Sequence, residues 1–333
     1  MDLENLDTNL FPKPHLTLKP GHVVELYGTS CCTKTEVLYH LVAQCILPPN
    51  WRGVQLNGHN VGVVFVDTEY QFSMLRLFAI MESRVMERLE KVKSDQNDDD
   101  EEQSARTDLP TGDNVEGFIK TALSKLYVVR CSSSEQLVIS LHSLESLLAN
   151  HPEIGVLMLD SVSAFYWIDR TNAGDNANNQ EAMQRRTTQI LQRLMDEYQL
   201  VLIATKPAIV QRKHRGGGGY HHNNHQRQES SSSAGSPLVK KDSGSAYSPL
   251  NHSFTETSHG GGPEVIEHHE YMCHSWHQMV TFRFHLQRCD DVVDRTRQRS
   301  LYKAKLIHPS SIKHQVTFCV AESGVSYQHY GAH

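Results

Sequence analysis

From Gly21 to Thr205 the sequence alternates short, wholly apolar runs with longer amphipathic ones, and few architectures satisfy that pattern. Val61 to Asp67 (VGVVFVD), Gly155 to Asp160 (GVLMLD) and Leu200 to Thr205 (LVLIAT) lack the in–out alternation of a half-exposed strand. Such runs fit strands covered on both faces. His22 to Tyr27 and Leu126 to Cys131 read as two further strands. Between them, Val37 to Ile46, Met74 to Val92, Gln136 to Asn150 and Asn179 to Tyr198 repeat apolar residues at a spacing near 3.6, predicting helices with one buried stripe. Strands alternating with helices in this way build an α/β domain around a mostly parallel sheet. After Trp276 the helical spacing stops. Met279 to Leu286, Leu301 to Ile307, Gln315 to Val320 and Val325 to Tyr327 predict a β-rich end to the same domain.

Two stretches interrupt the pattern. Residues 94–114 include Asp98-Asp-Asp-Glu-Glu102 and read as a solvated polar insert. Residues 211–269 hold runs of glycine, serine and histidine and read as a second, low-complexity insert. Its histidines at 221, 222 and 225 read as polar repeat more readily than as a metal site. These inserts explain a hydrophobic fraction of only 38% in a chain with a normal core. Residues 1–20 read as a short polar segment without a signal-peptide core, ahead of a single domain over 21–333. A net charge of −6 supplies no global attraction to nucleic acid or anionic membrane. Seven cysteines without a C-x-x-C pair fit reduced thiols, and no apolar run reaches membrane-spanning length. A soluble intracellular protein is expected.

The first predicted strand runs into Gly28-Thr29-Ser30-Cys31-Cys32-Thr33-Lys34-Thr35, which has the spacing of a phosphate-binding loop with Thr33 at its second glycine. In such loops backbone N–H groups point at phosphate oxygens, the lysine reaches the terminal phosphates and the hydroxyl holds Mg²⁺. If position 33 takes a glycine-only conformation, threonine there costs about 1–2 kcal/mol, or about tenfold in affinity. Asp160, ending an apolar strand, suits a carboxylate on the magnesium shell beside Thr35, or a cap of the following segment. Glu69 reads either as a general base for an attacking water or as half of a loop pair with Asp67.

The ordered series Gly21-x3-Glu25-x2-Gly28, VFVDTE and LMLDS resembles the ATPase core of the RecA/eukaryotic recombinase family. Within that family, Lys34-Thr-Glu36, Cys131-Ser-Ser-Ser134, Ser143-Leu-Glu-Ser146, Ser163 to Arg170 (SAFYWIDR) and Glu322-Ser-Gly-Val325 resemble a recombinase paralogue. The resemblance implies a RecA-like P-loop ATPase core binding ATP and Mg, weakened by Thr33. It also implies a nuclear subunit of a paralogue complex that assists recombinase assembly on single-stranded or branched DNA. The D-type recombinase paralogue is the implied partner, and no membrane is involved. No F-x-x-A segment precedes the core, so the implied subunit ends a stack rather than extending it. Where recombinases carry a coupling glutamine after the fifth strand, this chain reads Ala204-Thr-Lys-Pro207. The DNA-facing candidates are Tyr166, Trp167 and Arg170 in one loop and Arg212, Lys213 and Arg215 in another. Phe165 to Trp167 read equally as core or interface packing. The alternative function is a self-sufficient DNA-dependent ATPase; a small-molecule P-loop kinase lacks a recognisable lid or acceptor site.

Overall fold

A computed structural model describes residues 3–29, 33–95, 112–172, 177–214, 255–257, 264–294 and 299–328. In chain order, β1 (Val23–Gly28) leads to α1 (Lys34–Ile46), and a small hairpin of β2 (Asn50–Trp51) and β3 (Val54–Gln55) precedes β4 (Gly62–Asp67). Then follow α2 (Met74–Asp95), α3 (Gly112–Leu123), β5 (Leu126–Arg130), α4 (Ser134–Asn150), β6 (Ile154–Asp160), α5 (Tyr166–Asn172), α6 (Ala177–Tyr198) and β7 (Val201–Pro207). Strands β8 (Ile209–His214), β9 (Thr255–Thr257) and β10 (Glu264–His269) come next. The chain ends with α7 (His274–Met279), β11 (Phe282–Asp294), β12 (Arg299–His308), β13 (Gln315–Ala321) and β14 (Gly324–Gln328).

These elements fall into two compact units, Met1–Ala208 with Met272–His333, and Ile209–Tyr271. In the first, a nine-stranded sheet runs β14-β13-β12-β11-β1-β7-β6-β4-β5. Strands β11, β1, β7, β6, β4 and β5 pair in parallel, and β12, β13 and β14 extend the sheet antiparallel. This is the α/β class with a mostly parallel RecA-like core and a β-rich end that the sequence led us to expect. Every residue of β1, β4 and β6 is buried; the apolar text of β4 and β6 requires it, and β1 buries Glu25 as well. In the second unit, β10 pairs antiparallel with both β8 and β9. Composition over 211–269 concealed these short strands, because glycine and serine outnumber the β-branched pair Val265-Ile266. Residues 96–111 and the histidines at 221, 222 and 225 lie outside the described residues.

The N-terminal segment is not merely polar: Leu3, Leu6, Leu10, Phe11, Leu16 and Leu18 are all buried in the main core. Each side chain removed from water contributes about 1.5–3 kcal/mol, so this strap is integral to the fold. The polar stretch expected to reach residue 114 gives way to α3 from Gly112, where Val115, Ile119 and Ala122 turn inward. The strand expected from Met279 is preceded instead by α7, which buries Trp276 completely, and β11 runs on to Asp294. The stretch after β6, expected as a loop, winds into α5. Among the described residues no helix is long and apolar enough to cross a membrane, and no cluster suits a metal ion on protein side chains alone.

Candidate functional site

The loop between β1 and α1 begins at Gly28, which pairs with Pro207 of β7, and Ala208 N–H donates to the Gly28 carbonyl at 2.9 Å. At the other end of the loop, Thr33 has φ 56° and ψ 26°, the left-handed region, and its side chain makes no capping bond to the helix. The glycine-favouring conformation anticipated at this position is therefore present with a β-branched residue in it. Lys34 folds back on the loop, donating from Nζ to the carbonyls of Gly28 at 3.1 Å and Thr29 at 2.8 Å. Ser30, Cys31 and Cys32 lie outside the described residues.

The strand-end carboxylates divide into two kinds. Asp160, at the tip of β6, accepts the Thr35 hydroxyl at 2.7 Å and the Thr205 hydroxyl on its other oxygen. Burial pushes the Asp160 carboxyl above its usual range and the charge of Glu69 adds to this, while the two threonine hydroxyls and Lys34 oppose it. Thr35 and Asp160, some 125 positions apart, thus meet as the motif reading required. Thr205 was missed; its place at the end of an apolar run, one strand over, was the available signal. Glu69 is exposed and accepts the Ser161 hydroxyl at 2.7 Å. Asp67 is different: it is buried, accepts the backbone N–H groups of Gln71 and Phe72 at 3.1 Å each, and lies 3.5 Å from Arg130. That carboxylate holds the loop after β4, leaving Glu69 as the one beside Asp160.

Two positioning networks escaped the sequence reading. Arg76 of α2 forks onto Glu36 of α1, with bonds of 2.8 to 3.2 Å, and reaches the carbonyls of Ala321 at 2.6 Å and Glu322 at 2.7 Å. It ties the helix after the loop to the turn before β14. Beneath the loop stem, the buried Glu25 meets Arg283 Nε at 2.6 Å, Lys206 Nζ at 3.4 Å and the Trp276 indole N–H at 2.6 Å. Lys206 also stands over the Tyr27 ring, 5.0 Å from its centroid. Two cations thus converge on one buried carboxylate beneath the loop stem.

The donor set of this site suits a magnesium-bound nucleotide in part. An ammonium at the loop and a hydroxyl 2.7 Å from a strand-tip carboxylate match the chemistry of Mg–phosphate binding. The left-handed Thr33 does not match the glycine cradle. Farther along, α5 carries Tyr166, Trp167 and Arg170. Arg170 donates to the Tyr166 hydroxyl at 3.0 Å and lies over the Trp167 ring at 6.0 Å. Phe165 is buried, yet Trp167 is 57% exposed, so the packing alternative holds for the first aromatic and not for the tryptophan. Arg212 and Lys213 fall on β8, with side chains outside the described set, and Arg215 lies outside the described residues altogether.

No family model matches the chain. It is 31% identical over 325 residues to DNA repair protein XRCC2 from Mus musculus, covering 98% of this chain and 91% of that one. It is 28% identical over 229 residues to a DNA repair protein XRCC2 homolog from Arabidopsis thaliana, covering 62% of this chain and 59% of that one. Coverage at this level takes in the phosphate-type loop, the strand-end carboxylates and the antiparallel extension alike, and the chain belongs to the XRCC2 family of DNA repair proteins.

Proposed function

We propose that this protein is a complex-forming, recombinase-shaped subunit in homologous-recombination repair of DNA double-strand breaks, and that it assists recombinase assembly on single-stranded DNA in the nucleus. The D-type recombinase paralogue and its larger complex are the proposed partners. In this reading ATP and Mg²⁺ occupy the loop weakly: Gly28 to Thr35 hold the phosphates, Thr35 and Asp160 hold the metal shell, and Glu69 is the base if turnover occurs. Bound nucleotide supplies a conformational cue rather than work. Tyr166, Trp167 and Arg170, with Arg212, Lys213 and Arg215, are the proposed DNA-facing groups, engaged through the complex.

The observation that carries this reading is the pairing of Gly28 with Pro207. A DNA-coupled motor needs a side chain beside the loop that senses the terminal phosphate and moves. Proline has neither an amide N–H nor a polar side chain, and the next residue, Ala208, is fastened by its N–H to the Gly28 carbonyl. A subunit that shapes an assembly needs no such sensor.

Lys34→Ala is expected to leave repair of induced breaks within about twofold of wild type, since it weakens nucleotide binding and loosens only the loop it folds back on. Affinity capture from cells is expected to recover a recombinase paralogue with both forms. Purified chain that hydrolyses ATP on DNA unaided, together with loss of repair in Lys34→Ala, establishes the self-sufficient ATPase instead. Capture that returns no recombinase paralogue removes the subunit reading.

A further inference from the structure

Trp51, Trp167 and Trp276 are the three tryptophans of the chain, and their settings differ. Trp276 is fully buried, with its indole N–H on Glu25. Trp51 lies stacked on Phe118, the ring centroids 4.2 Å apart and the planes 15° from parallel. Trp167 of α5 is more than half exposed and so forgoes the burial that ordinarily accounts for an indole. The helix that carries it is nonetheless anchored on its inner side. Phe165, just before it, is buried, Asp169 accepts the Ser134 hydroxyl at 2.9 Å, and the Tyr166 carbonyl accepts from the Gln180 amide at 3.0 Å.

On its outer side Trp167, Arg170 and Thr171 share one face at the i, i+3, i+4 spacing. The Arg170 guanidinium stands over the indole, 6.0 Å from the ring centroid, and donates to the Tyr166 hydroxyl at 3.0 Å. Tyr166 meets the indole edge-on, the centroids 4.9 Å apart and the planes at 85°. The Thr171 hydroxyl returns to the Trp167 carbonyl at 2.8 Å. A cation on one face and a second ring at the edge thus hold the indole upright, and its exposure falls on the other face. Ile168, also exposed, lies about 100° round the helix from it. A flat π-system with a negative charge close by complements this arrangement, and a nucleotide brings both in one unit: the base for the open face and its phosphate for Arg170. A protein pocket closing over the ring would bury the Arg170 charge too, which is costly without a partner. In a duplex both faces of an internal base are already stacked, so only an unpaired base can cover the ring.

We propose that Trp167 is a stacking platform for a single unpaired base of DNA. Tyr166 and Arg170 act through the ring as positioning residues, and Arg170 also faces the adjoining phosphate. The inference rests on the DNA-facing reading above and narrows it. Among the groups named there, Trp167 is the one that separates unpaired from paired DNA, and that selection resides in this chain.

Titration of the full chain with a short oligothymidylate, followed by tryptophan emission and by anisotropy of the labelled strand, tests this. Saturable quenching is expected, and it reports on Trp167 because the other two indoles are buried or covered. Trp167→Ala is expected to abolish the quenching and to weaken binding about tenfold, whereas Trp167→Tyr loses the quenching and recovers most of the affinity. A duplex and an abasic strand of equal length are expected to give no quenching. Quenching by either of them as strong as by the single strand overturns the proposal. So does wild-type affinity in Trp167→Ala, which leaves the DNA-facing reading to Arg212, Lys213 and Arg215. A wild-type chain that binds no single strand overturns both. Normal DNA binding by Trp167→Ala with loss of recombinase-paralogue capture makes the indole a protein contact instead. Trp167 is largely solvated, so matching melting curves are expected for wild type and variants.

Discussion

Two polar clusters share α1, and they are built on opposite principles. At its first turn, Lys34 and Thr35 face Asp160 in a partly open site whose residue types announce phosphate chemistry. Two turns on, His40 joins Asp7 of the strap, Arg84 of α2 and Tyr327 of β14 in a buried latch that no motif announces. In the latch His40 Nε2 donates to Asp7 while Nδ1 accepts from Arg84, the arrangement a neutral imidazole allows. The site tolerates an awkward residue, Thr33, and a carboxyl whose pKa is raised. The latch tolerates nothing comparable, because a buried polar group without its partner costs more than the bond it would have made. The motif-bearing cluster is therefore the weaker contributor to stability, and the anonymous one joins four separated parts of the chain.

The most severe way to test that contrast is Asp7→Ala. It strips four donors of their shared acceptor and removes a carboxylate charge that attracts the part-buried Arg84. We expect a loss of about 3–5 kcal/mol in urea unfolding. Thr35→Ala, which removes one hydroxyl from Asp160, should cost only about 1 kcal/mol. If the two losses come out equal, the latch is no stronger than the site and the contrast fails.

Acid provides a second test. Burial and the Arg84 charge hold His40 down to about 4, well below an ordinary imidazole near 6.5. Between those values the unfolded chain binds a proton that the folded chain refuses, so stability must fall as pH drops through that window. The full difference amounts to about 3 kcal/mol from His40 alone. Asp7, also held below its usual value, has the same sign: its contribution is present above the unfolded carboxylate pKa and is lost as pH falls through its folded one. Urea midpoints measured from pH 7 down to 4.5 should decline steeply in the wild type and more gently in His40→Gln. Parallel curves for the two proteins would place the acid sensitivity elsewhere.

What the sequence disclosed follows the same division. Contacts written into neighbouring residues were legible: the apolar runs of β4 and β6, the helix stripes, and the loop from Gly28 to Thr35. The meeting of Thr35 with Asp160 was legible because two local signals, each at a strand end, imply it. The latch draws on positions 7, 40, 84 and 327, and its members look ordinary where they stand. Nothing local distinguishes Asp7, in a segment that reads as polar, from a solvated aspartate. Glu25, Lys206 and Arg283 escaped for the same reason, since only the register of β1 with β7 and β11 brings their strands together, and Trp276 reaches Glu25 from helix α7.

The gentlest test returns to Thr33. Its left-handed backbone costs a β-branched residue about 1–2 kcal/mol, part of which glycine would recover on folding. Glycine also widens the unfolded ensemble by about 0.4–1 kcal/mol, which opposes the gain. Thr33→Gly should therefore stabilise the chain by no more than about 1 kcal/mol, an effect barely resolved in a melting curve. Affinity is the sharper readout, because glycine restores the loop's freedom to turn its N–H groups toward phosphate. ATP measured by equilibrium dialysis with Mg²⁺ should bind about tenfold more tightly in Thr33→Gly, while melting points of the two proteins stay within a few degrees. An unchanged affinity would mean that Thr33 is not what limits the loop. The fastening of Gly28 by Ala208 and Lys34 would then be the next constraint to release.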